Sequence, residues 1–320
     1  MVIPEPGEAS VFEARRIPIP KPGPGEVLVR VHASSVNPMD LKIRSRGDEM
    51  GITYPIVPGY DVSGTVAEVG PGIERFEPGD EVFYTPELFV GHGAYAEYQV
   101  SDADIVARKP ESLSHVEAAS LPATACTALD ALVHRAEVSV GETVLVHGVG
   151  GVGSQVVQIA AAAGTRVIAS TSPETTSLAA DLGAEIVVDY RSGSLASAVD
   201  EAVEGEGVDL TVSTVGDGLV EDSIPLTRPH GRIVDIVGDP GSVGAAKNRN
   251  VTIVFMALER TSEKLIAVRR LVERGHIRRA VQADHIQIEI GGKATIEPQL
   301  LLAVVPAQLE AGKIDKAEVH

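Results

Sequence analysis

A chain of 320 residues is long enough to bury a large core and, at roughly 100 to 200 residues per domain, to divide into about two domains. With 44% hydrophobic but only 3% aromatic residues, no Trp, 32 Gly and 20 Pro, the interior must be Val, Ile, Leu and Ala cut by many tight turns, an α/β composition. The single Cys126 excludes an internal disulfide and any zinc cluster of three or four thiolates, and 45 acidic against 27 basic residues, a net charge of -18, argue against nucleic acid or anionic membrane surfaces as partners.

No run approaches the ~20 apolar residues needed to cross a bilayer, and the opening residues lack the basic and apolar regions of a secretory leader. The expectation is a cytoplasmic protein with no membrane partner. Its acidic excess is spread along the chain and only eight of the basic residues are Lys, an acidic surface that suits a salt-rich cytoplasm or an acidic mesophile equally.

Residues 27–33, 62–69, 81–84 and 94–100 read as short strands, punctuated by Lys21-Pro22-Gly23-Pro24-Gly25, Gly70-Pro71-Gly72 and Glu77-Pro78-Gly79-Asp80. Residues 118–133 form an Ala-rich helical stretch, after which strands and helices alternate: strands at 144–146, 167–169, 186–188, 210–213 and 232–237, helices at 153–163, 175–182 and 195–203. Strands buried on both faces between helices imply a doubly wound parallel sheet. A further helix covers 263–274, and the tail is expected to return to the first domain. The domains are therefore placed at 1–120 with 265–320, and at 121–264.

The segment from Val144 to Gly153 places G-x-G-x-x-G at Gly148, Gly150 and Gly153, after a strand and opening a helix. The first glycine permits the turn, the second lets backbone approach a pyrophosphate, and the third allows close packing of helix on strand. The helix start, with Gly151 and Val152, offers free N–H groups to phosphates. In such folds the second strand commonly ends in an acid that binds the ribose of NAD; here it ends Ser170-Thr171-Ser172, so NADPH is favoured. Arg191, after Tyr190, is the nearest cation for a 2'-phosphate, or an ordinary solvated loop residue.

With the β-rich part first and the glycine turn near residue 150, the chain resembles the medium-chain dehydrogenase/reductase superfamily, and within it the zinc-free quinone oxidoreductase branch. The segments that carry the resemblance are residues 24–30, 35–40, 54–61 with Gly64, 79–82, 93–97 and the turn itself. It implies a Rossmann doubly wound parallel sheet joined to a GroES-like β-rich catalytic domain. Where zinc-type members place a Cys ligand and a Gly-His-Glu, this chain has Val36-Asn37-Pro38-Met39-Asp40 and Gly59-Tyr60-Asp61, so no zinc site is expected. The resemblance implies hydride transfer from NADPH to a quinone or an α,β-unsaturated carbonyl.

Matched residue by residue, it puts Asn37 and Asp40 beside the nicotinamide. Asn37 would donate to the acceptor oxygen or to cofactor ribose, and Asp40 would fix the loop; a turn-forming Asn-Pro and a helix-starting Asp explain both without a ligand. Tyr54 and Tyr60 would line the acceptor pocket, or pack as aromatics with satisfied hydroxyls. Thr127 matches a threonine at the nicotinamide end, and Val215 and Gly216, Val237 and Gly238, and Phe255 and Met256 follow successive strands where open α/β sheets bind ligands.

Two departures stand out: the turn from His147 to Gly153 is one residue shorter than in the quinone reductase branch, and Pro306 interrupts the tail helix expected over 298–312. The family's usual homodimer would use 251–258 as an edge strand, although an interior strand fits as well. The alternatives to a quinone or enone reductase are an enoyl-thioester reductase and a non-catalytic NADPH-binding redox sensor.

Overall fold

Strand β1 (Glu26–Ser35) carries Val27, Val29, Val31 and Ala33 at alternate positions, all buried, and has a paired strand on each edge. In the computed structural model, which describes residues 1–88, 92–191, 193–216, 218–238 and 240–278 and the backbone of Gln287–Glu289, this strand organises the first of two units. Asn37 stands extended before helix α1 (Pro38–Arg46), whose first turn carries Pro38, a residue that needs no helical N–H there. Strands β2 (Val62–Val69), β3 (Glu81–Tyr84), β4 (Tyr98–Asp102) and β5 (Ala107–Arg108) follow, then the short helix α2 (His115–Ala119). All pair antiparallel, in the path β1-β2-β3-β5 with β4 on the free edge of β1.

The strand expected over 94–100 begins only at Tyr98. The N–H groups of Gly93, Ala94 and Tyr95 bond the carbonyls of Val57, Gly59 and Pro58 instead, so the chain there braces a loop rather than a ladder. The single helix expected over 118–133 is also divided, into α2, helix α3 (Pro122–Leu129) and a π-helical turn, Asp130–Arg135. Pro122 is the cause: it has no N–H for α2 and disfavours helical backbone at Leu121.

The second unit is the doubly wound sheet. Its elements are β6 (Thr143–His147), α4 (Gly151–Ala162), β7 (Arg166–Thr171), α5 (Thr176–Asp181), β8 (Ile186–Asp189), α6 (Leu195–Ala202), β9 (Val208–Ser213), α7 (Leu219–Ser223), β10 (Thr227–Asp235), α8 (Gly244–Arg249) and β11 (Thr252–Phe255). The six strands are parallel in the order β11-β10-β9-β6-β7-β8. Strand order therefore reverses between β6 and β9, the position where open α/β sheets leave a crevice at their carboxyl edge. Leu145, Ile168, Val188, Val199 and Val208 pack one face, and Val220, Ile224, Ile233, Ala246 and Val251 another.

The chain then forms helix α9 (Ser262–Glu273) and strand β12 (Gln287–Glu289), which pairs with the end of β1. Met1–Ala123 and Arg260–Glu273 belong to the first unit, and Thr124–Glu259 with residues 274–278 to the second. The expected tail helix at 298–312 lies outside the described residues. Among those described, no helix is long and apolar enough to cross a membrane.

One ion pair in the second unit is both sheltered and bidentate. Arg232 meets Glu142 through two nitrogens, at 2.9 and 2.6 Å, with side-chain exposures of 18% and 17%, and its Nε donates to the Ala136 carbonyl. Removing one partner strands the other charge. Arg232→Met is expected to lower unfolding stability by about 2–4 kcal/mol in a urea titration; a loss below 0.5 kcal/mol would mark the pair as surface-like.

Candidate active site

The first unit contributes a buried polar cluster centred on Asp61, which has no exposed surface. A carboxylate taken from water needs its hydrogen bonds replaced, and four donors do so. Asp61 Oδ1 accepts from the Ala123 N–H at 2.8 Å and the Thr85 hydroxyl at 3.0 Å. Oδ2 accepts from the Asn37 amide at 2.8 Å and from the Ser35 hydroxyl. Burial pushes the Asp61 carboxyl up, and these donors oppose the shift.

Asn37 is held in this cluster. Its amide nitrogen donates to Asp61 and, at 3.0 Å, to Ser35 Oγ, an orientation required because its oxygen would repel the carboxylate. Asp40, also buried, accepts the Asn37 backbone N–H at 2.8 Å and the Gly59 N–H at 3.1 Å, tying the start of α1 to the loop before β2. Burial raises the Asp40 carboxyl to about 7, with the neighbouring Asp61 charge adding to the rise.

The two tyrosines differ. Tyr54 donates its hydroxyl to the Ile43 carbonyl of α1. Tyr60 is nearly buried; Arg260 lies over its ring at 5.2 Å and donates to its hydroxyl oxygen at 2.7 Å. Burial raises the Tyr60 hydroxyl and the Arg260 charge opposes the rise.

In the second unit, the glycine turn, Ser170, Thr171, Tyr190, Arg191, Val215, Gly216, Val237, Gly238, Phe255 and Met256 all follow or end strands at one carboxyl edge of the parallel sheet. Thr127 sits on α3. Gly148 has φ +82°, and a Cβ on Gly153 would lie 1.8 Å from the Gly148 carbonyl oxygen, so side chains are excluded there. A Cβ on Gly150 would meet nothing within 4 Å, leaving open space in front of the N-terminus of α4. The first-turn N–H groups of Gly151, Val152 and Gly153 have no helical acceptor, and a pyrophosphate fits that donor set. His147 is buried, bonded to Ser223 at 2.7 Å and lowered to about 4 by burial, so it is neutral and structural.

Of the three hydroxyls at the end of β7, Ser170 and Thr171 close the strand and Ser172 follows it; Thr171 turns inward to Thr175, and Ser172 lies 3.4 Å from the same oxygen. Arg191 pairs with Glu174 at 2.9 Å, both exposed, with its guanidinium 5.8 Å from the Tyr190 ring. Glu174 was missed in reading the sequence, as were Asp61 and Arg260. An acid leading into a buried strand was a usable signal for Asp61; Arg260, 200 residues from Tyr60, had none.

Residues 23–111 match the alcohol dehydrogenase GroES-like domain and 151–271 the zinc-binding dehydrogenase domain. The chain is 36% identical over 229 residues to a quinone oxidoreductase of Sus scrofa, covering 71% of this chain and 68% of that protein. It is 35% identical over 256 residues to a zinc-type alcohol dehydrogenase-like protein of Staphylococcus aureus, covering 76% and 73%. A mycobacterial protein complexed with NADPH superposes with a TM-score of 0.78 at 30% identity, covering 88% of this chain and 90% of that one. A two-unit oxidoreductase with a GroES-like β domain and a Rossmann-like dinucleotide domain is the class these features define. The chain belongs to the medium-chain dehydrogenase/reductase superfamily, with quinone oxidoreductases among its relatives.

The Asp40 carboxyl holds its proton to about pH 7 in the folded chain but only to an ordinary 3.8 when unfolded. Its contribution to stability is thus full below pH 3.8 and is lost as the pH rises through about 7. Melting temperature is expected to fall from pH 5 to pH 8, and Asp40→Asn to flatten part of that slope; an unchanged slope would assign it to other groups.

Proposed function

We propose that the chain is an NADPH-dependent, zinc-independent reductase of quinones and activated enones that acts as a homodimer. The observation that carries the zinc-independent reading is the saturation of Asp61. Four protein donors occupy its oxygens, and Tyr60 and Asn37 stand where zinc-type relatives supply imidazole and thiolate, so the donor set does not fit a metal. The family membership and the NADPH bound by the mycobacterial neighbour support the cofactor.

The glycine turn and the start of α4 would hold the pyrophosphate, Ser170, Ser172, Tyr190 and Arg191 the adenosine ribose, and Thr127, Val215, Gly216, Val237, Gly238, Phe255 and Met256 the remainder, while Thr171, bonded inward to Thr175, would not reach the ribose. The dinucleotide supplies a hydride when bound. Asn37 and Asp40, locked to Asp61 and Gly59, keep the acceptor-side loop rigid, with Tyr54 bracing α1 and Tyr60 facing the acceptor. The edge position of β11 in the described sheet supports pairing with a second copy.

The test follows NADPH absorbance with 1,2-quinones, 1,4-quinones and short enones, with and without chelator. Turnover unaffected by chelator is expected; tight NADPH binding without any turnover would favour a sensor, and loss with chelator would refute zinc independence. Arg191→Ala is expected to raise the KM for NADPH about tenfold, the size of one charge-assisted contact, while leaving that for NADH unchanged. Glu174→Gln, by removing the competing carboxylate, is expected to shift preference further towards NADPH, measured as the ratio of kcat/KM for the two coenzymes.

A further inference from the structure

Hydride addition to a carbonyl-conjugated acceptor leaves negative charge on oxygen, and a site without a Lewis acid must meet that charge with hydrogen-bond donors. Asn37 is held within the Asp61 cluster, its amide nitrogen already donating towards Asp61 and Ser35 at 2.8 and 3.0 Å. Asp40 and Asp61 are acceptors of bonds already made. Tyr54 spends its proton on the Ile43 carbonyl.

Tyr60 differs from all of them. Its hydroxyl oxygen accepts from Arg260 at 2.7 Å, so its own proton must point elsewhere, and among the described residues it has no acceptor. Arg260 lies over the ring at 5.2 Å, has a buried Nε without a partner, and forms no ion pair among the described residues, in a chain whose net charge is -18. A guanidinium donating to the phenol oxygen polarises the O–H, strengthening it as a donor.

We propose that Tyr60 is the donor to the acceptor's developing oxyanion and that Arg260 is the positioning residue that aims and polarises it. The inference rests on the reductase reading. In the step, the hydride carries its electron pair from the dihydropyridine to the electrophilic carbon, leaving pyridinium, and the conjugated π pair moves onto the acceptor oxygen. The Tyr60 O–H stabilises that oxygen by hydrogen bonding and is not consumed; water then supplies the proton.

The experiment measures the single-turnover rate of NADPH oxidation with 1,4-benzoquinone in the full-length protein, alongside NADPH affinity by fluorescence and a thermal melt. Tyr60→Phe is expected to lower the rate about a hundredfold with NADPH affinity changed less than twofold. Arg260→Met is expected to lower it about tenfold, Arg260→Lys to recover part, and the double variant to be no slower than Tyr60→Phe alone. A Tyr60→Phe rate within twofold of the parent, or fully multiplicative losses in the double variant, would overturn the proposal while leaving the reductase reading standing. Should Tyr60→Phe fail to fold, an Arg260→Met rate equal to the parent's does the same. No oxidation by the unsubstituted protein with any quinone would overturn both.

Discussion

A carboxylate with no contact with water governs the first unit. Asp61 is tied to the end of β1 through Ser35, to the entry of α1 through Asn37, to the residue after β3 through Thr85, and to α3 through the Ala123 N–H. Those donors come from three separate stretches of sequence, at 35–37, 85 and 123, and Asp61 accepts from all of them. The loop that carries Tyr60 is thereby held on both sides, since Gly59 is bonded to Asp40 of α1 as well. This polar knot joins segments that the hydrophobic core does not tie to one another through hydrogen bonds.

The second unit depends on backbone contact. Gly153 touches the Gly148 carbonyl so closely that strand and helix meet without any intervening side chain, which brings the open N-terminus of α4 to the carboxyl edge of β6. The switch in strand order at β6 and β9 then gathers the ends of the remaining strands around it.

How much was legible follows from the range of each interaction. The parallel sheet could be read from its alternation because its central strands β6, β7 and β9 are buried on both faces. The division of the helix expected over 118–133 went unread although its signal is local, since Pro122 acts through its own ring and missing N–H. By contrast, residues 93–95 fail to extend β4 because of carbonyls at 57–59, a partner that no local pattern announces. The same applies to Asn37: its side chain looks free in sequence and is engaged in the fold. Arg260 meets a tyrosine on a distant loop, and Glu174 an arginine beyond the next strand.

The exposure of Arg191 and Glu174, 56% and 65%, gives the molecule two kinds of charge. Those around Asp61 and between Arg232 and Glu142 are shielded from dissolved ions by the protein itself. The pair at the edge of the dinucleotide unit is not, and with a screening length of about 8 Å at physiological ionic strength its field weakens as salt rises. If that pair reads the coenzyme's phosphate as proposed, discrimination between phosphorylated and unphosphorylated coenzymes is a property of the solution as well as of the chain, while the cluster around Asp61 is indifferent to it.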